Sequence, residues 1–318
     1  MLVVEHFQVG GGLTGSSRKV VRAVDGVSLT VDEGETLGLV GESGCGKSTL
    51  VRTILFLEEP TSGEVVFRGE VLTPKLVRDL RRGAQIIFQD PYSSLPPRMK
   101  VGSIIGEPLT IHGIAKGSAQ VERVHELLAD VGLKPTDADK LPHQLSGGQR
   151  QRVSIARALA VRPSLVVADE AVSSLDVSMQ AQILNLLKDL QERYRLAYLF
   201  VSHDLGVVRY MSHRIAVMYL GSIVETASSR DLYERPLHPY TQALMSAAPS
   251  VHAPKGGRVK LIGEPPDPSN PPSGCRFHPR CPVARPVCST DRPALVEWLD
   301  GRDAACHFAL QTDPTSTA

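Results

Sequence analysis

The octapeptide Gly41-Glu42-Ser43-Gly44-Cys45-Gly46-Lys47-Ser48 carries the strongest structural signal in this sequence. It fits the pattern G-x-x-x-x-G-K-[ST] and lies between an apolar run, Glu35 to Val40, and a predicted helix, Ser48 to Phe56. Glycines let backbone N–H groups turn inward around a phosphate, and a helix start adds a partial positive charge. The pattern predicts a phosphate-binding loop. Lys47 is expected to reach the β- and γ-phosphates of a nucleotide and Ser48 to ligate Mg²⁺, with Thr49 completing the loop site.

A second glycine-containing turn, Leu145-Ser146-Gly147-Gly148-Gln149, precedes a predicted helix that extends to Val161. The Ser146 hydroxyl and the N–H groups of both glycines would lie at a helix start, which again favours an anion. An ordinary helix cap would use the same residues. A P-loop kinase would leave this turn unexplained.

Apolar runs alternate with helical segments along the chain. Ser164 to Ala168 and Ala197 to Val201 predict central parallel strands covered on both faces, and Gly83 to Phe88 predicts a further strand. Helical periodicity dominates residues 101–140, and Val20 to Val31 predicts a strand pair with a turn at Asp25-Gly26. The alternation predicts an α/β fold with a parallel sheet of the P-loop kind.

Two acids, Asp169 and Glu170, close the apolar run that ends at Ala168. The ends of central strands line the ligand crevice of α/β sheets, although adjacent carboxylates there could also be plain surface charge. The position at the end of a central strand favours a ligand-binding role for both acids.

The segment Leu145 to Gln149 matches LSGGQ, and in this order of motifs the chain resembles the ABC ATPase family over nearly its whole length. The resemblance implies a RecA-like parallel sheet core, an N-terminal antiparallel β subdomain and a helical subdomain at about residues 90–145. It also implies ATP hydrolysis by two head-to-tail subunits. The signature turn of one subunit, including Ser146, Gly147, Gly148 and Gln149, would then cap the γ-phosphate on the loop of the other.

The same resemblance gives the two acids their roles. Asp169 would hold the Mg²⁺ shell, mostly through water, and Glu170 would be the general base that orients and polarises the attacking water.

The resemblance also assigns roles to four further residues. Gln89 looks like the Q-loop glutamine, whose amide contacts Mg²⁺ or the lytic water. Asp176, in Ser173 to Asp176, resembles the D-loop residue at the dimer interface, and His203 resembles the switch histidine that hydrogen-bonds the γ-phosphate. Phe7, with His6 as the nearby alternative, is the candidate to stack on the base.

Two segments, Ile87 to Leu95 and Arg235 to Thr241, resemble the peptide/nickel importer branch of that family, which serves dipeptides and oligopeptides. This resemblance implies two transmembrane permease subunits, a second ABC ATPase subunit (identical or homologous) and an extracytoplasmic solute-binding protein as partners. It places the chain peripherally on the cytoplasmic face of the cell membrane. The solute stays open among dipeptides, longer peptides, glutathione, nickel chelates and some glycosides.

The composition of the chain restricts the classes of function that fit these expectations. The formal net charge of +1 argues against a general nucleic-acid binder. No apolar stretch approaches the roughly 18–20 residues that span a bilayer, and the N-terminus lacks a secretory pattern, so we expect a cytosolic chain that docks to another polypeptide. The alternative is a soluble ABC ATPase acting on nucleic acid or ribosomes, but such proteins usually carry coiled-coil inserts, tandem halves or basic arms.

Four of the five cysteines crowd into the last part of the chain, namely Cys275, Cys281, Cys288 and Cys306. Because residues 249–286 are dense in proline, we predict an ATPase domain over residues 1–250 and a Pro/Cys-rich extension over 251–318. Four thiolates can bind zinc or a [4Fe–4S] cluster, and the closely spaced pairs usual for structural zinc are missing. The family resemblance implies the iron–sulfur cluster, with zinc and unliganded thiols as alternatives.

Overall fold

The computed structural model describes residues 2–12, 20–246 and 263–311, with the side chains of all of these except residues 2–12, 20, 91 and 93. The described chain forms two compact units. The first unit comprises Val31–Glu35 and Leu72–Phe200. The second comprises Leu2–Thr30, Thr36–Val71 and the described residues from Val201 onward.

Strands and helices alternate along the chain, which confirms the predicted α/β class. The strands are β1 (Leu2–Gly12), β2 (Val20–Val31), β3 (Thr36–Val40), β4 (Ser62–Phe67), β5 (Glu70–Val71), β6 (Ala84–Ile87), β7 (Leu165–Asp169), β8 (Ala197–Val201), β9 (Arg214–Tyr219), β10 (Ser222–Ser228), β11 (Val296–Leu299) and β12 (Arg302–Ala304). The α-helices are α1 (Lys47–Ile54), α2 (Val77–Gly83), α3 (Pro91–Ser94), α4 (Val101–Ile111), α5 (Ser118–Asp130), α6 (Gly147–Leu159), α7 (Val177–Tyr194), α8 (Leu205–Met211), α9 (Ser229–Glu234), α10 (Pro239–Ser246) and α11 (Pro286–Thr290). Short 3₁₀ turns occupy Pro135–Asp139, Pro142–Gln144, His278–Arg280 and Ala309–Gln311.

The first unit is built on three neighbouring strands in the order β8-β7-β6, and β6 and β7 pair in parallel. The apolar residues from Leu165 to Ala168 are at most 2% exposed, as the continuous hydrophobic run predicts for a central strand. Between β6 and α6 the described elements are helical, and α4 packs against both α5 and α6. Strand β7 is therefore a buried segment that ends at Asp169 and leads directly into Glu170.

The second unit contains two groups of strands. One is antiparallel between β1 and β4 and runs in the order β2-β1-β4-β5. In the other, β3 pairs in parallel with β9, and β9, β10, β12 and β11 continue antiparallel. Because β12 pairs with β10, the chain's last strands extend the strand group that leads into the glycine-rich loop.

The predicted turn at Asp25-Gly26 is wrong, because β2 runs without interruption from Val20 to Val31. Gly26 has a positive φ of 70°, which bends the strand without reversing it. The Asp25 N–H donates to the carbonyl oxygen of Gly221 at 2.8 Å, and the Asp25 carboxylate is buried against two arginines. These long-range bonds use the polar groups that a local turn would have used.

Among the helices that the structure describes, none has the length and apolar character needed to cross a bilayer.

Candidate nucleotide-binding site

The glycine-rich loop joins buried strand β3 to helix α1, as the sequence predicts. Gly46 precedes α1 with φ of 109°, a conformation that only glycine adopts without strain, and a side chain there would overlap the carbonyl oxygen of Ala23. Because Gly46 has no side chain to cap the helix, the N-terminal end of α1 keeps the partial positive charge that helix starts present to phosphates.

Lys47 is only 7% exposed although it is the first residue of α1. Its Nζ donates to the carbonyl oxygen of Gly41 at 2.8 Å and to that of Glu42 at 3.0 Å. The Cys45 thiol lies 3.6 Å from the same Nζ, and burial raises the pKa of this thiol in spite of the lysine. The ammonium group is thus held at the loop. The loop therefore has two positive features beside it, the Lys47 ammonium and the N-terminus of α1.

The signature turn forms a reciprocal helix cap at the start of α6. The Gln149 N–H donates to the Ser146 hydroxyl at 3.2 Å, and the Ser146 N–H donates to the Gln149 side chain at 2.9 Å. Gly148 is buried against Met179, where a methyl group would lie 2.6 Å from the sulfur atom. The helix therefore starts at a fixed point, with Ser146 exposed at its tip.

Glu170 follows β7 and has a positive φ of 50°. A non-glycine residue in the left-handed region costs free energy, and such strain concentrates at functional sites. Its carbonyl oxygen accepts bonds from the N–H and hydroxyl of Ser173 at 3.1 and 3.0 Å. Asp169 and Glu170 are both half-buried, so the end of the strand carries two acidic residues that are partly exposed to solvent.

The remaining predicted residues occupy strand ends and helix starts. Gln89 and His203 are exposed. Gln89 follows the partly buried strand β6, and His203 follows the buried strand β8. The Gln89 carbonyl accepts from the Ser174 hydroxyl at 3.3 Å, which links the segment after β6 to the one after Glu170. Asp176 caps α7 by accepting from the Met179 N–H at 2.9 Å, and its hydrogen bond with Ser178 lowers its pKa.

All four C-terminal cysteines line one small pocket, together with the aromatic side chains of Phe277 and Phe308 and with three histidines. The five cysteines of the chain are free thiols. Burial, followed by the neighbouring thiols, raises the pKa of Cys306 to about 11. Backbone N–H groups of Arg285 and Phe308 lie 3.5 Å from the sulfurs of Cys288 and Cys306. Within residues 2–12, 20–246 and 263–311, no group of three or more His, Cys, Asp or Glu side chains is arranged so that it could hold a metal ion.

Comparison of the chain with known proteins shows the family to which it belongs. Residues 24–173 match the ABC transporter family model, and residues 224–288 match the C-terminal region of oligopeptide/dipeptide transporters. The oligopeptide transport ATP-binding protein AppF of Bacillus subtilis is 50% identical over 315 residues, which cover 96% of this chain and 95% of the relative. The chain belongs to the ATP-binding proteins of ABC transporters. As an ABC ATPase, it hydrolyses ATP.

A second relative and a solved structure support the same family and fold. The di/tripeptide transport ATP-binding protein DppF of Pseudomonas aeruginosa is 46% identical over 313 residues, covering 97% of this chain and 96% of the relative. Among solved structures, a dimeric ATP-binding cassette in a post-hydrolysis state with ADP and phosphate superposes with a TM-score of 0.64. That cassette is 31% identical and covers 72% of this chain and 99% of its own. The predicted ABC ATPase fold is therefore confirmed.

The two units divide the predicted site residues of this ABC ATPase between them. Within the first unit lie Gln89, the signature turn, Asp169, Glu170 and Asp176; within the second lie residues 41–49, His203 and the four cysteines. The side chains of Phe7 and His6 lie outside the described residues, so base stacking by either one stays a prediction.

Sequence reasoning missed two partners of the loop. Arg280 pairs with the Glu42 carboxylate, and the Tyr240 hydroxyl accepts from the Glu42 N–H at 2.9 Å. Hydrogen bonding to Glu42 raises the pKa of Arg280. The only local signal was the segment Arg235 to Thr241, which contains Tyr240 and which matched the importer branch without indicating what it contacts.

Proposed function

We propose that this ABC ATPase binds Mg-ATP on the loop of residues 41–49, with Lys47 on the β- and γ-phosphates. The observation that carries the proposal is the buried Lys47 ammonium, held over the loop carbonyls at the N-terminus of α1. Ser48, Asp169 and Gln89 are the residues proposed to hold Mg²⁺, since hydroxyl, carboxylate and amide oxygens suit this cation. The bound cation would neutralise charge on the phosphates.

We assign the hydrolytic step to Glu170 as general base, with His203 hydrogen-bonded to the γ-phosphate. The strained backbone of Glu170 at the end of a buried strand supports this role, because a base must be held in one orientation. Ser146 to Gln149 of one subunit would meet the loop of a second ABC ATPase subunit, with Asp176 at the interface. The exposed position of Ser146 and Asp176 is compatible with such an interface.

We further propose that ATP hydrolysis drives import of dipeptides or oligopeptides. The chain would act peripherally on the cytoplasmic face of the membrane, with two permease subunits and an extracytoplasmic solute-binding protein. The support is the set of relatives named as peptide transport ATP-binding proteins, which align along almost the whole chain. A second support is the match of residues 224–288 to the C-terminal region of such transporters.

The ATPase assignment is tested by Glu170→Gln in the full chain. The amide cannot accept the proton of water, so we expect ATP to bind and turnover to fall by about a hundredfold or more. ATP should then hold two subunits together, which size-exclusion chromatography with light scattering detects. Glu192→Gln, exposed on α7, is the matched control and should behave as wild type. Near-normal turnover in Glu170→Gln would remove Glu170 as the base.

The solute is tested by deleting the chain in its own host and measuring uptake of labelled dipeptides, tripeptides and longer peptides. We expect uptake of at least one of these classes to be lost, and to return with the wild-type chain but not with Glu170→Gln. Unchanged uptake of all three classes, with loss of a different solute, would contradict peptide import while leaving ATP hydrolysis intact.

We also propose that the pocket lined by Cys275, Cys281, Cys288 and Cys306 holds a [4Fe–4S] cluster, with Zn²⁺ as the alternative. Four thiols on one pocket, with backbone N–H groups beside two sulfurs, suit thiolate ligation. The described residues contain no group of three or more side chains arranged to hold a metal ion, so the proposal requires the four thiols to move closer together around the bound group. The group would supply order to a proline-rich segment.

Anaerobic purification tests this assignment. A cluster predicts brown protein with absorbance near ~400 nm and iron and sulfide bound to the chain. Cys275→Ser should lose this absorbance, whereas Cys45→Ser, the fifth cysteine and outside the pocket, should retain it. Colourless protein with one zinc per chain would assign zinc, and protein without metal would assign unliganded thiols.

A further inference from the structure

Arg280 lies in the 3₁₀ turn His278–Arg280, between two of the pocket cysteines, and it contacts the glycine-rich loop. Its two terminal nitrogens donate to the two carboxylate oxygens of Glu42, at 2.8 and 3.0 Å. The Arg280 side chain is 5% exposed and that of Glu42 is 23% exposed. This is a bidentate pair, which fixes both the position and the plane of the carboxylate.

Every polar group of Glu42 is held by a partner. Its carboxylate pairs with Arg280, its N–H donates to the Tyr240 hydroxyl at 2.9 Å, and its carbonyl oxygen accepts from Lys47 at 3.0 Å. Two of these three partners come from the part of the chain after β10. Glu42 is therefore the residue through which that later part of the chain holds the loop.

Two partners of Glu42 are held by a cluster of packed aromatic side chains: Tyr240 belongs to this cluster and Arg280 contacts it. The Tyr219 and Tyr240 rings lie 4.6 Å apart, and the Phe277 ring lies 5.3 and 5.4 Å from them. Tyr219 also accepts from Arg280 at 3.4 Å. Buried aromatic side chains in contact allow little movement, so Arg280 and Tyr240 present fixed hydrogen-bonding groups to the loop.

A carboxylate in a loop that holds a triphosphate would repel the negatively charged phosphates and weaken their binding. Like charges a few ångströms apart repel, and the repulsion is stronger in a partly buried site than in water. A guanidinium in bidentate contact cancels the carboxylate charge and keeps its oxygens in one place. The loop of residues 41–46 then presents N–H groups and the Lys47 ammonium without a competing negative charge.

We propose that Arg280 is a positioning residue for nucleotide binding: it neutralises and orients Glu42 so that the glycine-rich loop accepts ATP. The inference rests on the proposed role of that loop, and it assigns to the C-terminal cysteine-bearing segment a direct part in ATP affinity. It requires no metal in the cysteine pocket.

The test is the affinity of the full chain for a fluorescent ATP analogue, mant-ATP, at low and high salt. Arg280→Gln leaves Glu42 charged and unpaired, so we expect affinity to fall about tenfold at low salt, and less in high salt because screening weakens the repulsion. Adding Glu42→Gln to Arg280→Gln removes that charge and should restore most of the affinity. A purely structural role would show neither the rescue nor the salt dependence.

Two further variants keep the test decisive. Arg280→Lys retains the charge but not the bidentate geometry, and it should bind mant-ATP more weakly than wild type and more tightly than Arg280→Gln. Arg230→Gln is the matched control, because Arg230 forms an exposed ion pair with Glu234 in the same unit. It should leave affinity unchanged.

The outcomes separate this inference from the proposed function. If Lys47→Ala loses mant-ATP binding while Arg280→Gln binds as wild type does, the inference on Arg280 is wrong and the loop assignment stands. If the double variant Arg280→Gln/Glu42→Gln is as weak as Arg280→Gln alone, charge neutralisation is also wrong. If Lys47→Ala binds as well as wild type, the loop assignment itself fails.

Discussion

The Nε2 of Gln151 donates a 2.7 Å hydrogen bond to the carbonyl oxygen of Ala171. Gln151 lies on α6, which begins at the signature turn, and Ala171 directly follows Glu170. Gln151 is fully buried. Within the described residues, the other polar atom of its side chain, Oε1, has no hydrogen-bond partner. A single buried bond therefore connects the helix of one predicted motif to the residue beside the candidate base.

Breaking this bond should lower turnover more than it lowers ATP affinity. Gln151→Met keeps the length and bulk of the side chain but leaves the Ala171 carbonyl unpaired, which costs about 1–2 kcal/mol of unfolding free energy. Because Ala171 directly follows the strained Glu170, we expect the loss of this bond to disturb the orientation of Glu170, so that kcat for ATP falls about tenfold with little change in KM. Steady-state ATPase assays and urea unfolding measure the two effects.

The control for this prediction is Gln182→Met, an equivalent substitution at an exposed position of α7. It should alter neither kcat nor the free energy of unfolding by a measurable amount. Loss of stability in Gln151→Met with an unchanged kcat would show that the bond serves folding alone.

The motif segments were predictable because their chemistry is local. Strand β8 has the predicted bounds, Ala197–Val201, and the loop from Gly41 to Lys47 lies between a strand and a helix as its glycines require. The strained φ of Glu170 and the pairing of Glu42 with Arg280 had no such signal. The ion pair joins residues 238 positions apart in sequence, which periodicity and spacing cannot report.

The error at Asp25-Gly26 has the same physical origin. The dipeptide is typical of a hairpin turn, but Asp25 bonds to Gly221 and to arginines late in the chain. Tertiary hydrogen bonds thus overrode a local preference. The four cysteines illustrate the reverse case: their clustering in sequence predicted a common site, and the structure brings all four to one pocket.

A side chain at Gly148 should meet a close contact that opposes it, although alanine is the better helix former. A methyl group there would lie 2.6 Å from the Met179 sulfur and 2.8 Å from its terminal carbon. Gly148→Ala is expected to reduce the free energy of unfolding by about 1 kcal/mol at most, because the flexible end of Met179 must shift and this cost outweighs the gain in helix propensity. Chemical denaturation monitored by circular dichroism provides the measurement.

The adjacent glycine supplies a matched comparison for stability. A methyl group at Gly147 would meet Leu175 at 3.7 Å, an ordinary contact, so Gly147→Ala should keep or slightly raise the free energy of unfolding. Shortening the obstructing side chain with Met179→Ala should recover part of the loss in Gly148→Ala. Equal stability of the Gly147 and Gly148 variants would contradict the steric argument.

Asp25 should make the stability of the chain sensitive to acid. Its side chain is 2% exposed, it contacts Arg276, and Arg292 lies 2.8 Å away. Burial alone would raise the pKa of Asp25, but the charges of Arg276 and then Arg292 outweigh burial and lower the pKa below its ordinary value of 3.8. In the unfolded chain Asp25 takes up a proton near pH 3.8, while in the folded chain it stays ionised to lower pH.

The sign of the effect follows from proton linkage. The contribution of Asp25 to the free energy of unfolding is fully present above about pH 4 and is lost as pH falls through the folded-state pKa, because the unfolded state there binds the additional proton.

Asp25→Asn should be about 2 kcal/mol less stable than wild type at pH 7, since Arg292 is partly exposed and only Arg276 is left in a buried, unpaired state. This difference should shrink as the pH is lowered from 4 toward 2. Urea unfolding of both chains across that range measures it, and Asp189→Asn, exposed on α7, should follow the wild-type curve at every pH. A difference between Asp25→Asn and wild type that stayed constant across this range would contradict a lowered pKa of Asp25 in the folded chain.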